Sequence, residues 1–158
     1  VWTWDFIFDR TDKRSTLKML TMLDEYSRQC LAIRVERQIR SGQVLATLWQ
    51  AMMTYGIPEH IRSDNGSEFI AQKIQEWLKE SQIKTLYIDP GSPWQNGYIE
   101  SFHSRFRDEC LNREWLLNLR EVRVVIEDWR QYYNIERPHS RLGYLSPEGF
   151  IANQNVSL

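Results

Sequence analysis

Three carboxylates occupy positions where a carboxylate is costly or exposed to a ligand. Asp5 is the one charged residue inside the run 2–8, where Trp2, Trp4, Phe6 and Phe8 alternate with Thr3, Asp5 and Ile7. A period-2 pattern that is apolar on both faces predicts a central strand. An ionised carboxylate buried there without a partner costs several kcal/mol, so Asp5 requires a cation, either an Arg or Lys from a helix or a metal ion. Asp64 closes a short strand-like segment and is followed by Asn65, Gly66 and Ser67. That is ordinary turn chemistry, and it is also where open α/β sheets place ligands, at the C-terminal end of a strand. Glu100 follows Asn96 by one helical turn and precedes Arg107 by two, so the three share a polar face. A helix rises 1.5 Å per residue, which sets Glu100 and Arg107 roughly 10 Å apart. This spacing suits a carboxylate at a metal and an arginine at a neighbouring phosphate, or else a solvated helix face.

These residues must be positioned by surrounding elements. Segments 16–23 and 29–36 continue the strand pattern, with a tight connection at 24–28, so three strands come first. Ser41 is placed to cap a helix whose apolar positions are Val44, Leu45, Leu48 and Met52, stopped by Gly56 and Pro58. A strand over 60–63, a helix marked by Ile70, Ile74, Trp77 and Leu78, and a strand over 84–88 follow. Ser92 as N-cap, Pro93 at the first helical position and Gln95 at the capping-box position begin the helix of Glu100. Its buried stripe is Ile99, Phe102, Phe106 and Cys110, distinct from the Asn96/Glu100/Arg107 face. Asn118 with Glu121 starts a last helix with Val122, Val125, Ile126, Trp129, Tyr132 and Tyr133 on one face. The expected fold is α/β, a mixed sheet of five strands flanked by helices in the order β-β-β-α-β-α-β-α-α.

The set of carboxylates is more informative than its members. Asp5 on a central strand, Asp64 after an adjacent strand, and Glu100 on a helix 35 residues further (65–99 intervening) resemble the Asp-Asp-Glu pattern of transposases and retroviral-type integrases. The segments R-S-D-N-G-S-E-F (62–69) and P-x-x-N-G-x-x-E-S-F (93–102), with a basic residue seven positions after the glutamate, are similar to the integrase core of bacterial insertion-sequence transposases. The segment 133–148, Y-N-I-E-R-P-H-S-R-L-G-Y-L-S-P-E, resembles the C-terminal signature of that family. The resemblance implies a ribonuclease H-like fold and a catalytic site at Asp5, Asp64 and Glu100. It implies Mg²⁺ or Mn²⁺ as cofactor, with two ions, since oxygen ligands suit those metals rather than zinc. It implies cleavage and strand transfer of DNA in transposition, with Asn96 and Arg107 as DNA contacts. Its partners would be transposon-end and target DNA and further copies of the chain.

Other carboxylates compete for these roles. Asp24 reads as a turn-capping residue, Asp89 as part of the Pro90-Gly91 loop, and Asp9 lies near a strand end. His103 and His139 are not needed by a two-metal mechanism. Arg105, Arg107, Arg113, Arg120 and Arg123 form the densest basic region, tempered by Asp108, Glu109, Glu114 and Glu121. Most of the aromatic residues are expected in the core, Trp94 included, with base stacking as the alternative.

The chain has 158 residues, enough for one domain. Its net charge of −1 predicts weak DNA affinity by itself. Cys30 and Cys110 have no metal-ligand spacing and read as free thiols of a reducing, cytoplasmic compartment, and neither a membrane span nor a signal peptide is expected. A chain that opens directly in a strand reads as the catalytic core (1–158) of a longer protein with an N-terminal DNA-binding region. Two other readings remain, a hydrolytic nuclease of the same fold and a DNA-binding or assembly module without activity.

Overall fold

The structure is a computed structural model that describes residues 1–10, 15–64, 66, 71–89, 91–112 and 118–156. Five strands, β1 (Trp2–Arg10), β2 (Thr16–Asp24), β3 (Cys30–Glu36), β4 (His60–Ser63) and β5 (Lys84–Tyr87), form one sheet in the order β3-β2-β1-β4-β5. β1 is therefore the central strand. It runs antiparallel to β2 and parallel to β4, and β4 runs parallel to β5. The sheet is mixed, as expected.

The alternation along β1 divides the core. Trp2, Trp4 and Phe6 face α1 (Ser41–Tyr55) and α2 (Gln72–Glu80), packing with Leu48, Ile74 and Leu78. Ile7 faces the other way, toward α3 (Gly97–Phe106) and α4 (Leu119–Ile135), where Ile99, Phe102, Phe106, Trp129 and Tyr133 lie. With a two-residue period, Asp5 shares the face of Ile7. Phe102 anchors α3: its ring stands edge-on to Tyr133 at 5.1 Å and stacks on Phe106 at 6.0 Å. Such contacts add about 0.5–1.5 kcal/mol each beyond the area they bury. They hold one stripe of α3 inward and fix the direction of the Glu100 face. A further helix, α5 (Pro147–Val156), packs on α4. Its apolar residues lack helical spacing, and the periodicity did not single it out.

Several local expectations need correction. Ser41 is the first helical residue of α1 rather than its cap. Arg40 is the N-cap, and the Gln43 side chain accepts from its backbone N–H at 2.8 Å. Ser92 makes no side-chain cap, and the chain from Pro93 to Asn96 is a 3₁₀ turn that enters α3 at Gly97. Gln95 is drawn away from the helix terminus because it accepts from the Asp89 backbone N–H at 2.9 Å and donates to the Asp89 carboxylate at 3.3 Å. After Phe106 the helix widens into a π turn, Arg107–Leu111. Asn118 caps α4 as expected, accepting from the Glu121 N–H at 2.9 Å, but Tyr132 faces solvent at 43% exposure. Ile70, Pro90, Arg113 and Glu114 lie outside the described residues.

Candidate active site

The parallel pairing of β1 with β4 matches Trp2 to Ile61 and Thr3 to Arg62. Carried two residues further, that register sets Asp5 beside Asp64, and Asn96 and Glu100 at the start of α3 also act on Asp5. Asp5 is half-buried. Its carboxylate accepts from the Phe6 N–H at 2.8 Å and is hydrogen-bonded by the Asn96 side chain. Burial first, and repulsion from Asp64 and Glu100 after it, push the Asp5 carboxyl up to about 6 against the two hydrogen bonds that lower it. Asp5, Asp64, Asn96 and Glu100 thus converge although they come from β1, the end of β4, the 3₁₀ turn and α3. Among the described residues no Lys or Arg pairs with Asp5, so the salt-bridge reading of its burial finds no support.

Asp64 sits just past β4, and its carboxylate accepts from the Gly66 N–H at 2.8 Å, an Asx turn that fixes its orientation. Glu100 lies exposed in the first turn of α3. Among the described residues no three His, Cys, Asp or Glu side chains are grouped so that they could hold a metal ion. The donor set itself is all oxygen, anionic, and short of positive charge, which fits a hard divalent cation and does not fit a soft one.

The remaining residues of this face support Asp5 from behind. Thr21, cross-strand from Asp5, donates its hydroxyl to the Asp5 carbonyl at 3.2 Å and meets His103 Nε2 at 2.7 Å. A hydroxyl has one hydrogen, so with it given to the carbonyl, the His103 Nε2–H is the donor to Thr21. Burial, aided by the Arg107 charge, lowers the His103 pKa to about 4. The neutral ring fills that role as the Nε2–H tautomer. Arg107 donates to the Phe8 carbonyl at 2.8 Å and so ties the end of α3 to β1. Its guanidinium therefore has a backbone partner within the fold. His103 was the residue that sequence reasoning undervalued. The signal was its position midway between Glu100 and Arg107 on one helical face.

The rival carboxylates are occupied locally. Asp24 accepts from the Tyr26 N–H at 3.0 Å and caps the β2–β3 turn, Asp89 is held by Gln95, and Asp9 accepts from the Arg10 N–H. Trp94 is 73% exposed, which overturns its expected place in the core. Cys30 and Cys110 are buried and are not disulfide-bonded. No helix among the described residues is long and apolar enough to cross a membrane.

A mixed sheet in the order β3-β2-β1-β4-β5, with helices on both faces and acidic side chains gathered over its central strand, defines the ribonuclease H-like class of fold. Comparison with solved structures agrees. The simian T-cell lymphotropic virus intasome, solved with the PP2A regulatory subunit B56 gamma, superposes with TM-score 0.80 at 15% identity over 93% of this chain and 52% of that one. The HTLV-2 integrase catalytic core in complex with magnesium superposes with TM-score 0.64 at 20% identity over 94% of this chain and 92% of that one. Two family models, each described as integrase core domain, match residues 1–93 and 81–147. The chain belongs to the integrase core domain family. It is 42% identical, over 96% of its length, to the 39.2 kDa protein of insertion element IS476 of Xanthomonas euvesicatoria, and 38% identical, over 99%, to the 31.7 kDa protein of IS407 of Burkholderia multivorans. It spans 44% and 57% of those two proteins, about half their length.

Proposed function

We propose that this chain is the catalytic core of an insertion-sequence transposase that cleaves DNA and joins its ends to a target, with Asp5, Asp64 and Glu100 holding the divalent metal. The observation that carries this reading is the Asp5 carboxylate. It is half-buried at the centre of the sheet, has no cationic partner among the described residues, and is pressed by two further carboxylates. A folded chain tolerates such repulsion where a cation offsets it. Membership of the integrase core family, and the magnesium named for the HTLV-2 core, point to Mg²⁺ or Mn²⁺, with two ions as the working number.

Metal bound there would supply the positive charge that stabilises a pentavalent phosphorus and lowers the pKa of an attacking oxygen. The protein supplies position. The Phe6 N–H and Asn96 orient the Asp5 carboxylate, the Thr21–His103 pair holds the Asp5 backbone, and Arg107 holds α3 against β1 so that Glu100 stays opposite Asp64. A water nucleophile gives strand cleavage and a DNA 3′-hydroxyl gives strand transfer, with no covalent protein intermediate. The whole protein would act in the cytoplasm on transposon-end and target DNA as an oligomer, using a DNA-binding region outside residues 1–158 to recognise the ends. Mn²⁺ titration followed by calorimetry tests the metal assignment. Saturable binding that weakens in Asp5→Asn, Asp64→Asn and Glu100→Gln, with Asp24→Asn unchanged, is the expected result. Undiminished Mn²⁺ binding by all three triad variants would refute it.

A further inference from the structure

The segment 133–148 does not contribute to the carboxylate site, yet it is folded with care. His139 and Leu145 form an isolated antiparallel bridge, closed through Gly143 (φ 64°) and Tyr144 (φ 65°) in consecutive left-handed conformations. Arg137 clamps this loop to the π turn after α3 through a bidentate pair with Glu109, at 2.7 and 2.8 Å. The loop forms one wall of a cleft of about 440 Å³, within the roughly 300–1,000 Å³ of sites that hold small organic groups. α3 forms a second wall, on the side turned away from Asn96, Glu100 and Arg107, and the β2–β3 turn contributes Arg28.

The cleft is lined by three arginines, Arg28, Arg105 and Arg141, and by no carboxylate among the described residues. Elsewhere Arg34, Arg62, Arg123, Arg130 and Arg137 each pair with a glutamate, while Arg37 and Arg107 donate to backbone carbonyls. In the cleft Arg28 lies 4.0 Å over the Tyr98 ring and Arg105 donates to the Ser101 hydroxyl at 2.9 Å, so these guanidiniums are oriented without being neutralised. At the rim Trp94 offers an indole face to solvent. His139, only 6% exposed, lines the cleft with its Nε2 lacking any hydrogen-bond partner. A buried polar atom left unpaired costs about 1–3 kcal/mol, and a phosphate oxygen or base edge entering the cleft would relieve that.

We propose that this cleft is a second nucleic-acid site, separate from the carboxylates, which seats an unpaired nucleotide of a DNA strand with its phosphate among Arg28, Arg105 and Arg141 and its base stacked on Trp94. Three unneutralised guanidiniums recognise phosphate bidentately, and an exposed indole stacks on any base without sequence preference. Trp94 and Asn96 sit in one 3₁₀ turn, so the cleft and the carboxylate site adjoin at the N-terminal end of α3 while lying on opposite sides of that helix. A duplex presents no free base face, so the cleft selects single-stranded or frayed ends. This inference rests on the reading that the chain acts on DNA.

The test is fluorescence anisotropy of a short labelled single-stranded oligonucleotide and of its duplex, in EDTA so that no metal contributes. Trp94→Ala should weaken single-strand binding roughly tenfold, as loss of one stacked base does, with Trp94→Phe retaining most of the affinity. Arg105→Gln with Arg141→Gln should lower the slope of log affinity against log salt by about 0.7, one phosphate contact's worth for a single strand. All these side chains are at the surface of the cleft, and circular dichroism verifies that the variants fold. Unchanged affinity and slope in the cleft variants, or a parent chain that binds duplex while failing to bind single strand, overturns the proposal. Strand transfer by Asp64→Asn, measured separately, reports on the catalytic reading, so each can fail without the other.

Discussion

Replacing Asp5 by Asn should stabilise the metal-free protein at neutral pH. The carboxyl ionises at about 6 in the fold against 3.8 in an unstructured chain, a rise of roughly two pKa units, and each unit corresponds to about 1.4 kcal/mol. The full conversion is about 3 kcal/mol. Asp5 keeps some contact with water, and screening reduces the figure to about 1–2 kcal/mol. The sign follows from linkage. A carboxyl whose folded pKa is raised contributes stability that is complete below pH 3.8 and lost as pH rises through 6. Asparagine keeps the acceptor for the Phe6 N–H and removes the charge, so it escapes that loss. In EDTA the variant should melt roughly 3–6 °C above the parent at pH 7.5, and the gap should close as pH falls toward 4. Added Mg²⁺ should raise the parent's melting temperature and leave the variant nearly unmoved. A variant less stable than the parent at pH 7.5, or a gap that does not change between pH 4 and 8, would show that the charge on Asp5 is not under the strain described.

Thr21→Val removes the hydroxyl between the Asp5 carbonyl and His103 and should cost about 1–3 kcal/mol in urea unfolding, because the buried ring nitrogen loses its partner. Gly143→Ala meets no neighbour within 4 Å but keeps a left-handed backbone, so calorimetry should show a loss of about 1–2 kcal/mol from backbone strain alone. Arg107→Ala should lower stability by about 1 kcal/mol through the lost bond to the Phe8 carbonyl and weaken DNA binding, while Mn²⁺ affinity stays at the parent's value.

The positions of the three carboxylates were legible because each is tied to local pattern. Two-residue alternation placed Asp5 on the central strand, the Asp64-Asn65-Gly66 turn placed Asp64 at a strand end, and the Ile99/Phe102/Phe106 stripe fixed which face of α3 carries Glu100. Trp129 and Tyr133 of α4 were legible for the same reason, whereas Tyr132, next to Tyr133 in the expected stripe, faces solvent. What escaped depends on contacts between distant segments. Gln95 has the right spacing for a capping box, but the Asp89 loop competes for its side chain, so the helix starts four residues later than the motif suggests. Trp94 is apolar enough for the core, and only the geometry of the 3₁₀ turn turns it outward. The arginine cleft gathers side chains from the β2–β3 turn, α3 and the 139–141 turn, which no periodicity relates. His103 gains its role from Thr21, 82 residues away.

The central claim, that Asp5, Asp64 and Glu100 together perform the chemistry, is tested most directly by strand transfer of pre-cleaved terminal DNA. Asp5→Asn, Asp64→Asn, Glu100→Gln and the control Asp89→Asn would be compared at equal folded concentration. Each triad variant should lose joining by on the order of a hundredfold or more, the scale of removing one preorganised electrostatic contact from a transition state, while Asp89→Asn keeps most of it. Near-normal joining by Glu100→Gln, or loss of joining by Asp89→Asn comparable to that of the triad variants, would contradict the account.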